Sequence, residues 1–212
     1  MCVSSWGLTI KKTLHDNGKL KPKVIEQRKN WAVEIEKINS AKLIFLDESS
    51  INTGMTRLYG RAKGKERVID YVPDVRFQRM SILSTVRLDG AMVPQIFRGS
   101  LNGERFVKYI TDELAPTLQK GDILVWDGLP VHKVKGVLEP IKAKGASILF
   151  LPPYSPEFNP IELLWSKLKS FLRKAKARTI DTLENAIREA LKTITLSDIK
   201  NWFKHCGYVY VL

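Results

Sequence analysis

The stretch KLIFLDESS, residues 42–50, is a short apolar run that ends in acidic and hydroxyl side chains. A continuous apolar run of this length is typical of a buried strand, and the polar residues after it indicate where the strand leaves the sheet. A second run of this kind, ILVW at 123–126, ends in Asp127. Because the ends of neighbouring strands converge at one edge of an open α/β sheet, we expect Asp47 and Asp127 to lie close together.

The segments around these two runs complete an α/β pattern. Residues 80–98 are two β-rich runs around Asp89-Gly90, which predicts an antiparallel hairpin. A further strand is predicted at 147–151, and helices are predicted at 102–118, 133–144, 161–175, 182–194 and 197–205. The order strand, hairpin, helix, strand, helix, strand, helix predicts a mixed sheet with helices on its faces.

Residues 1–40 precede this pattern and are predicted to be a helical and linker segment. Residues 3–16 fit a short helix, the stretch 19–23 fits a linker interrupted by Pro22, and residues 24–38 are loosely helical. We therefore expect an N-terminal segment at 1–40 and one α/β domain at 41–212.

The chain is strongly basic. Its 212 residues carry 35 Lys and Arg against 22 Asp and Glu, which gives a net charge of +13. Such an excess is typical of a protein that binds a polyanion, although a solvated basic surface without a partner is the alternative. The cations form two basic stripes, with six between Leu163 and Arg178 and seven between Lys11 and Lys29.

The cysteines and the apolar runs exclude several classes of protein. Cys2 and Cys206 stand near opposite termini and form no Cys-x-x-Cys pair, so neither a disulfide framework nor a zinc knuckle is predicted. No apolar run approaches the roughly 20 residues of a membrane span, and the first residues lack the pattern of a signal peptide. We therefore expect a cytoplasmic protein without a membrane partner.

A third acid, Glu162, opens the helix that follows the Pro-rich stretch at 152–156. Three converging carboxylates suit phosphoryl transfer on DNA, because two hard cations about 3.5–4 Å apart must activate the attacking oxygen and stabilise the leaving one. Taken singly, Asp47 or Asp127 is more often a turn or helix-cap residue. Only the combination of the three acids favours a metal site.

From Lys42 to Tyr208 the chain resembles DDE transposases of the mariner superfamily, in its bacterial insertion-sequence branch. The matching stretches are FLDESS (45–50), VWDGLPVHK (125–133), LPPYSPEFNPIELLWSKLK (151–169) and HCGY (205–208). The third is the most specific, and 34 residues separate Asp127 from Glu162, as in this branch. The chain departs from many relatives at Gly128, where they have Asn.

The resemblance implies an α/β fold of the ribonuclease-H-like type, with Asp47, Asp127 and Glu162 as catalytic triad and as ligands of two Mg²⁺ or Mn²⁺ ions. It implies cleavage of DNA at transposon ends and attack of the 3′-hydroxyl on target DNA, at TA in relatives. DNA and a second copy of the chain, in a homodimer, are the implied partners. We expect His132 to contact a phosphate or the edge of the site, or to have only a structural role at the start of a helix. Asn159 holds the loop before Glu162 or caps its helix.

Other residues near these motifs receive weaker assignments. Glu48 and Glu157 are expected not to be ligands, because the motifs assign their neighbours. Trp165, Leu164 and Leu168 are expected to be core residues rather than DNA-stacking ones. Several cations, four of them after Glu162 on its helix, are expected to contact backbone phosphates. These are Lys167, Lys169, Arg173 and Lys174, together with Lys11 and Lys12.

Three functions remain compatible with the sequence: a transposase core, a ribonuclease-H-like nuclease without strand transfer, and a DNA-binding remnant without activity. In the family a helix-turn-helix region precedes the catalytic domain and reads the transposon ends. Residues 3–16 resemble only the last helix of that region, a short helical remnant that is marginal in water by itself. We therefore expect DNA binding mainly through the basic stripes, with steep salt dependence and little sequence preference.

Overall fold

A computed structural model describes residues 17–64, 66–72, 74, 76–128 and 134–208. One sheet has the strand order β3-β2-β1-β4-β5. The strands are β1 (Leu43–Asn52), β2 (Arg79–Arg87), β3 (Gln95–Arg98), β4 (Ile123–Trp126) and β5 (Ser147–Phe150). The α-helices are α1 (Pro22–Ile35), α2 (Gly103–Lys108), α3 (Leu138–Ala143), α4 (Pro160–Ala175), α5 (Ile180–Lys192) and α6 (Leu196–His205). The helix expected at 3–16, with Lys11 and Lys12, and also His132, lie outside the described residues.

Strand β1 is the centre of the sheet and is longer than predicted. It pairs antiparallel with β2 as far as Asn52, whereas its parallel pairing with β4 ends at Phe45. The expectation that this strand ends before Asp47 was therefore wrong. Ser49 and Ile51 are buried while Ser50 is exposed, so the side chains continue to alternate between the two faces of the sheet along this part of the strand.

Apolar side chains on the two faces of the sheet form two separate hydrophobic clusters. Along β1, Phe45 packs against α1, α4, α5 and α6, whereas Ile44 and Leu46 pack against α2 and α3. Successive residues of a strand point to opposite faces, so four consecutive apolar residues supply both clusters. Each large side chain buried in this way contributes about 1.5–3 kcal/mol. The predicted mixed sheet with helices on both faces is confirmed.

Helix α4 carries the longest amphipathic pattern. Pro160 occupies its first turn, where a missing N–H costs no helical hydrogen bond. Ile161, Leu164, Trp165, Leu168 and Leu172 repeat at intervals of three or four residues, and all are buried. The assignment of Leu164, Trp165 and Leu168 to the core is thus confirmed. The helix ends where Lys176 adopts a left-handed conformation.

Several element boundaries differ from the prediction. The helix expected at 102–118 is α-helical only to Lys108 and continues as a π-helical turn (Tyr109–Leu114) and a 3-10 turn (Ala115–Thr117). Pro116 explains the change, because its ring prevents regular α-helical bonding in the preceding turn. Helix α1 begins at Pro22, inside the expected linker. Helix α3 begins only at Leu138, after a turn at Gly136 with φ +93°.

A buried ion pair lies at the opposite end of strand β4 from the expected site, because Asp122 precedes this strand and Asp127 follows it. Asp122 is fully buried, and Arg87 Nη1 donates to its Oδ2 over 2.8 Å. The backbone N–H of Gln119 donates to the same oxygen. This contact joins the end of β2 to the turn before β4.

Among the residues that the structure describes, no helix combines the length and the apolar character needed to cross a bilayer.

Candidate active site

A cavity of about 440 Å³ opens where strand β4 ends. It is lined by Asp47, Asp127 and Glu162, together with Gly128, Leu151, Asn159 and the Pro-rich stretch at 152–156. The three acids are far apart in sequence, and they come from β1, from the residue after β4 and from the first turn of α4. The structure therefore brings all three predicted acids to one pocket.

Each acid is held by the element that carries it. Asp47 lies on the central strand, opposite Ser84 of β2. Asp127 directly follows Trp126, the last residue of β4, which is fully buried. Glu162 is itself exposed, but it lies between the buried residues Ile161 and Leu164, so the packing of α4 on the sheet fixes its backbone at the edge of the pocket. The positive end of the α4 dipole also favours an anion in the first turn.

Trp165 makes a contact with the site that the sequence analysis did not foresee. Its indole Nε1 donates a hydrogen bond to Asp47 Oδ2 over 3.0 Å. The amphipathic pattern of α4 predicts only a core position for Trp165. The available signal was its position three residues after Glu162 on one helix, combined with the need of a buried indole N–H for an acceptor.

Burial and mutual repulsion raise the pKa of two acids of the pocket, Asp47 and Glu162. Burial raises the pKa of Asp47 to about 7, with added repulsion from Glu162 and Glu48, against the hydrogen bond from Trp165. Partial desolvation also raises the pKa of Glu162. The Lys169 ammonium lowers this pKa, whereas the negative charge of Asp127 raises it further. A divalent cation between these acids would remove the repulsion and favour their ionised forms.

The side chains that line the pocket are of the types that bind a hard divalent cation. Three carboxylates offer the oxygen ligands that Mg²⁺ and Mn²⁺ prefer. Asn159 Oδ1 adds a buried acceptor that has no hydrogen-bond partner within the described part of the chain. In that same part, no three acidic, imidazole or thiol groups already stand close enough together to form a metal cluster. The carboxylates would therefore have to draw together around an ion.

Asn159 stands at the N-cap position of α4, but its side chain does not cap the helix. The backbone carbonyl of Asn159 accepts from the Glu162 N–H instead. Its own N–H donates to the carbonyl of Pro156, which closes the 3-10 turn before the helix. Of the two roles expected for Asn159, the side-chain cap is therefore not formed, and its amide oxygen accepts no hydrogen bond from the described residues.

A sequence model described as DDE superfamily endonuclease matches residues 42–184. This match covers about two thirds of the chain and includes all three acids. The chain belongs to the DDE superfamily endonucleases. No match was found among curated proteins.

Solved structures of the Mos1 transposase are similar to this DDE-family chain in fold. The Mos1 paired-end complex with the left transposon end has a TM-score of 0.76 at 14% identity, over 95% of this chain and 64% of that one. The Mos1 mariner paired-end complex with Mn has a TM-score of 0.77 at 14% identity, over 95% and 64%. The catalytic domain of the Mos1 mariner transposase has a TM-score of 0.63 at 11% identity, over 92% and 91%.

At these identities the likeness concerns the fold, which is the ribonuclease-H-like mixed sheet of the Mos1 catalytic domain. The chain spans about two thirds of the length of the transposase chains in the paired-end complexes.

The Pro-rich stretch of this DDE-family chain is supported by α1 and the turn before it. Arg28 Nη1 donates to Ser155 Oγ over 2.6 Å, and Arg28 also lies over the Phe158 ring at 4.8 Å. Glu157 accepts from Lys19 at 2.9 Å and from Arg28 at 2.6 Å. Glu157 is therefore engaged in ion pairs in this structure. No pattern in the sequence predicts this support, because Lys19 and Arg28 are more than a hundred residues from Glu157.

The cations of α4 fall into two groups in this DDE-family chain. Lys169 and Arg173 lie seven and eleven residues after Glu162, which puts them on the same stripe of the helix. Lys167 faces α6, where its Nζ contacts Asp198 Oδ2 at 2.5 Å and the Thr193 carbonyl at 2.9 Å. These contacts argue against the expectation that Lys167 contacts DNA, because they already engage its ammonium group within the chain. Lys174 is exposed.

Proposed function

We propose that this chain is the catalytic core of a DNA transposase. In this proposal Asp47, Asp127 and Glu162 hold two Mg²⁺ or Mn²⁺ ions, and the site cleaves phosphodiester bonds at transposon ends and joins the freed 3′-hydroxyl to target DNA. The observation that carries the proposal is that three acids from three elements line one pocket in a chain of the DDE endonuclease family.

The residues of the pocket supply binding and orientation. Divalent cations, when bound, activate an attacking oxygen and stabilise a leaving one. The chain contributes the carboxylate oxygens, carried by a central strand and by a packed helix, so that side-chain movements alone would bring them onto an ion. Pro152, Pro153 and Pro156 stiffen the opposite wall of the pocket. The pKa of Asp47 is raised to about 7, so near neutral pH we expect metal binding to release a proton from this carboxyl.

The proposed DNA partner is supported by the charge along α4. Lys169 and Arg173 continue from Glu162 along one stripe of the helix, and at about 1.5 Å per residue Arg173 lies roughly 16 Å from the acid along the axis. A DNA backbone that enters the pocket would then pass these two cations. The net charge of +13 favours such an approach at long range.

A homodimer is part of the proposal, since transposition requires two DNA ends held together. The long segment that connects β1 to β2, residues 53–78, carries large apolar side chains that are exposed: Leu58 is 73% exposed, Tyr59 90%, Ile69 75% and Tyr71 84%. Several large apolar side chains exposed along one segment are typical of a protein interface. Sedimentation of the wild type with and without DNA should therefore reveal a dimer, and Ile69→Lys with Tyr71→Lys should weaken it. A wild type that stays monomeric on DNA would contradict this.

The central test is nicking of supercoiled plasmid with MnCl₂. We expect the wild type to nick only with divalent cation, and Asp47→Asn, Asp127→Asn and Glu162→Gln each to abolish nicking while DNA affinity stays equal or rises, because a negative charge beside phosphates is removed. Glu36→Gln is the control, since Glu36 is an exposed acid at the far end of α1. Full activity in any one of the three variants would refute the triad.

A second assay separates cleavage from joining. An oligonucleotide with a free 3′-hydroxyl is incubated with plasmid, Mn²⁺ and the wild type. A covalently joined product supports the transposase. Hydrolysis without joining would indicate a ribonuclease-H-like nuclease, and DNA binding without either reaction would indicate an inactive remnant.

A further inference from the structure

Trp165 connects the hydrophobic core to the acid pocket. The residue is 2% exposed and packs in the cluster that contains Phe45 and Leu164. Its Nε1–H donates to Asp47 Oδ2 over 3.0 Å, although 118 residues separate the two in sequence. One helix, α4, therefore brings both an acid, Glu162, and a hydrogen-bond donor to the same carboxylate on β1.

This hydrogen bond restricts a torsion that is otherwise soft. The terminal χ2 torsion of an aspartate is broad, so the backbone of β1 alone does not fix the direction of the Asp47 oxygens. A donor that is held rigidly by packing does fix it, and a hydrogen bond to a carboxylate is stronger than a neutral one. The indole engages Oδ2, and the backbone N–H of Glu48 also donates to this carboxylate. An ionised carboxylate has about four lone pairs, so Oδ1 keeps at least one of them for a ligand in the pocket.

We propose that Trp165 is a positioning residue of the acid pocket, whose indole N–H orients the Asp47 carboxylate so that its Oδ1 binds a divalent cation. This inference rests on the proposed function, because it assumes that the pocket takes up Mg²⁺ or Mn²⁺. Groups that orient metal ligands in this way change metal affinity by about 10–100-fold when they are removed.

The experiment measures Mn²⁺ affinity of the full chain without DNA, by calorimetry or by electron paramagnetic resonance of free Mn²⁺. Trp165→Phe keeps an aromatic ring in the core and removes the N–H. We expect it to weaken Mn²⁺ binding about 10–100-fold. Trp31→Phe is the matched control, because Trp31 is 3% exposed and packs in the same cluster but lies on α1. We expect it to lower stability while leaving Mn²⁺ affinity within about twofold.

A second variant keeps the shape of the side chain if the Phe substitution disturbs the fold. Benzothienylalanine introduced at position 165 has the bicyclic ring of tryptophan with sulfur in place of the N–H, so we expect the same loss of affinity with near-native stability. In the Asp47→Asn background, Trp165→Phe should have no additional effect on Mn²⁺ affinity, because the two groups act as one unit.

The outcomes distinguish this inference from the proposed function. Equal Mn²⁺ affinity in the wild type, Trp165→Phe and the benzothienyl variant overturns the role of Trp165 and leaves the metal site standing. A wild type without saturable Mn²⁺ binding, unchanged by Asp47→Asn, overturns the metal site and this inference together.

Discussion

Asp47→Asn should make the metal-free protein more stable at neutral and alkaline pH. Burial and the neighbouring acids raise the pKa of Asp47 from 3.8 to about 7 in the folded chain. Between these two values the folded state holds a proton that the unfolded state has released, so the free energy of unfolding falls as pH rises from about 4 to about 7. Asparagine is neutral throughout and can still accept from Trp165, so the variant escapes this loss.

The size of the effect follows from the same pKa. At about 1.4 kcal/mol for each tenfold change, a pKa of about 7 in place of 3.8 corresponds to about 4 kcal/mol. Asp47 keeps some contact with solvent at the pocket, which reduces the difference. We therefore expect Asp47→Asn to exceed the wild type by roughly 2–4 kcal/mol at pH 8 and to equal it near pH 4.

The assay is urea unfolding of both proteins in EDTA across pH 4 to 8, followed by fluorescence. The difference between them is the quantity of interest, because all other titrating groups are common to both. Addition of Mn²⁺ at pH 8 should stabilise the wild type by mass action and leave Asp47→Asn nearly unchanged. A difference that stays constant over the whole pH range would refute the argument that Asp47 carries a raised pKa.

Three further predictions concern stability and DNA binding. Arg87→Ala should cost about 2–4 kcal/mol in urea unfolding, because it removes the nearest cation from the buried Asp122 and leaves it the more distant Lys42, 3.7 Å away; a cost below about 1 kcal/mol would contradict this. Thr179→Ala removes the capping box of α5 and should cost about 1 kcal/mol, whereas an unchanged melting temperature would argue against the cap. Lys169→Ala with Arg173→Ala should lower the slope of log affinity against log salt by about 1.8, and an unchanged slope would remove both from the DNA contact.

The sequence predicted the parts of the fold that depend on local patterns. The strands around Phe45 and Val125, and the helix after Pro160, follow from apolar periodicity and from proline chemistry. The far end of β1 was missed because its pairing depends on β2, a partner about 30 residues away that no local window contains. The π-helical turn was missed because the apolar spacing continues through it even though Pro116 does not allow α-helical bonding.

In the candidate site, too, the sequence predicted the features that depend on local patterns and missed those that depend on distant contacts. Asp127 and Glu162 could be placed from their positions after a strand and at a helix start. The contact of Trp165 with Asp47, and that of Arg28 with Glu157, join segments more than a hundred residues apart, so periodicity carries no signal for them. Burial of an indole with its N–H requires an acceptor, but the sequence does not say which one.

The central place of β1 in the sheet also determines the order in which we expect the molecule to form. Strands β1, β2 and β3 are consecutive in the chain and pair as antiparallel neighbours, so they are able to assemble while synthesis continues. The parallel partner of β1 begins only at Ile123, and α4 begins at Pro160, so these contacts close long loops and come later. A ribosome-bound chain would thus hold Asp47 in a folded sheet well before the other two acids arrive. The pocket would then be complete only after α4, which carries Glu162, has been made.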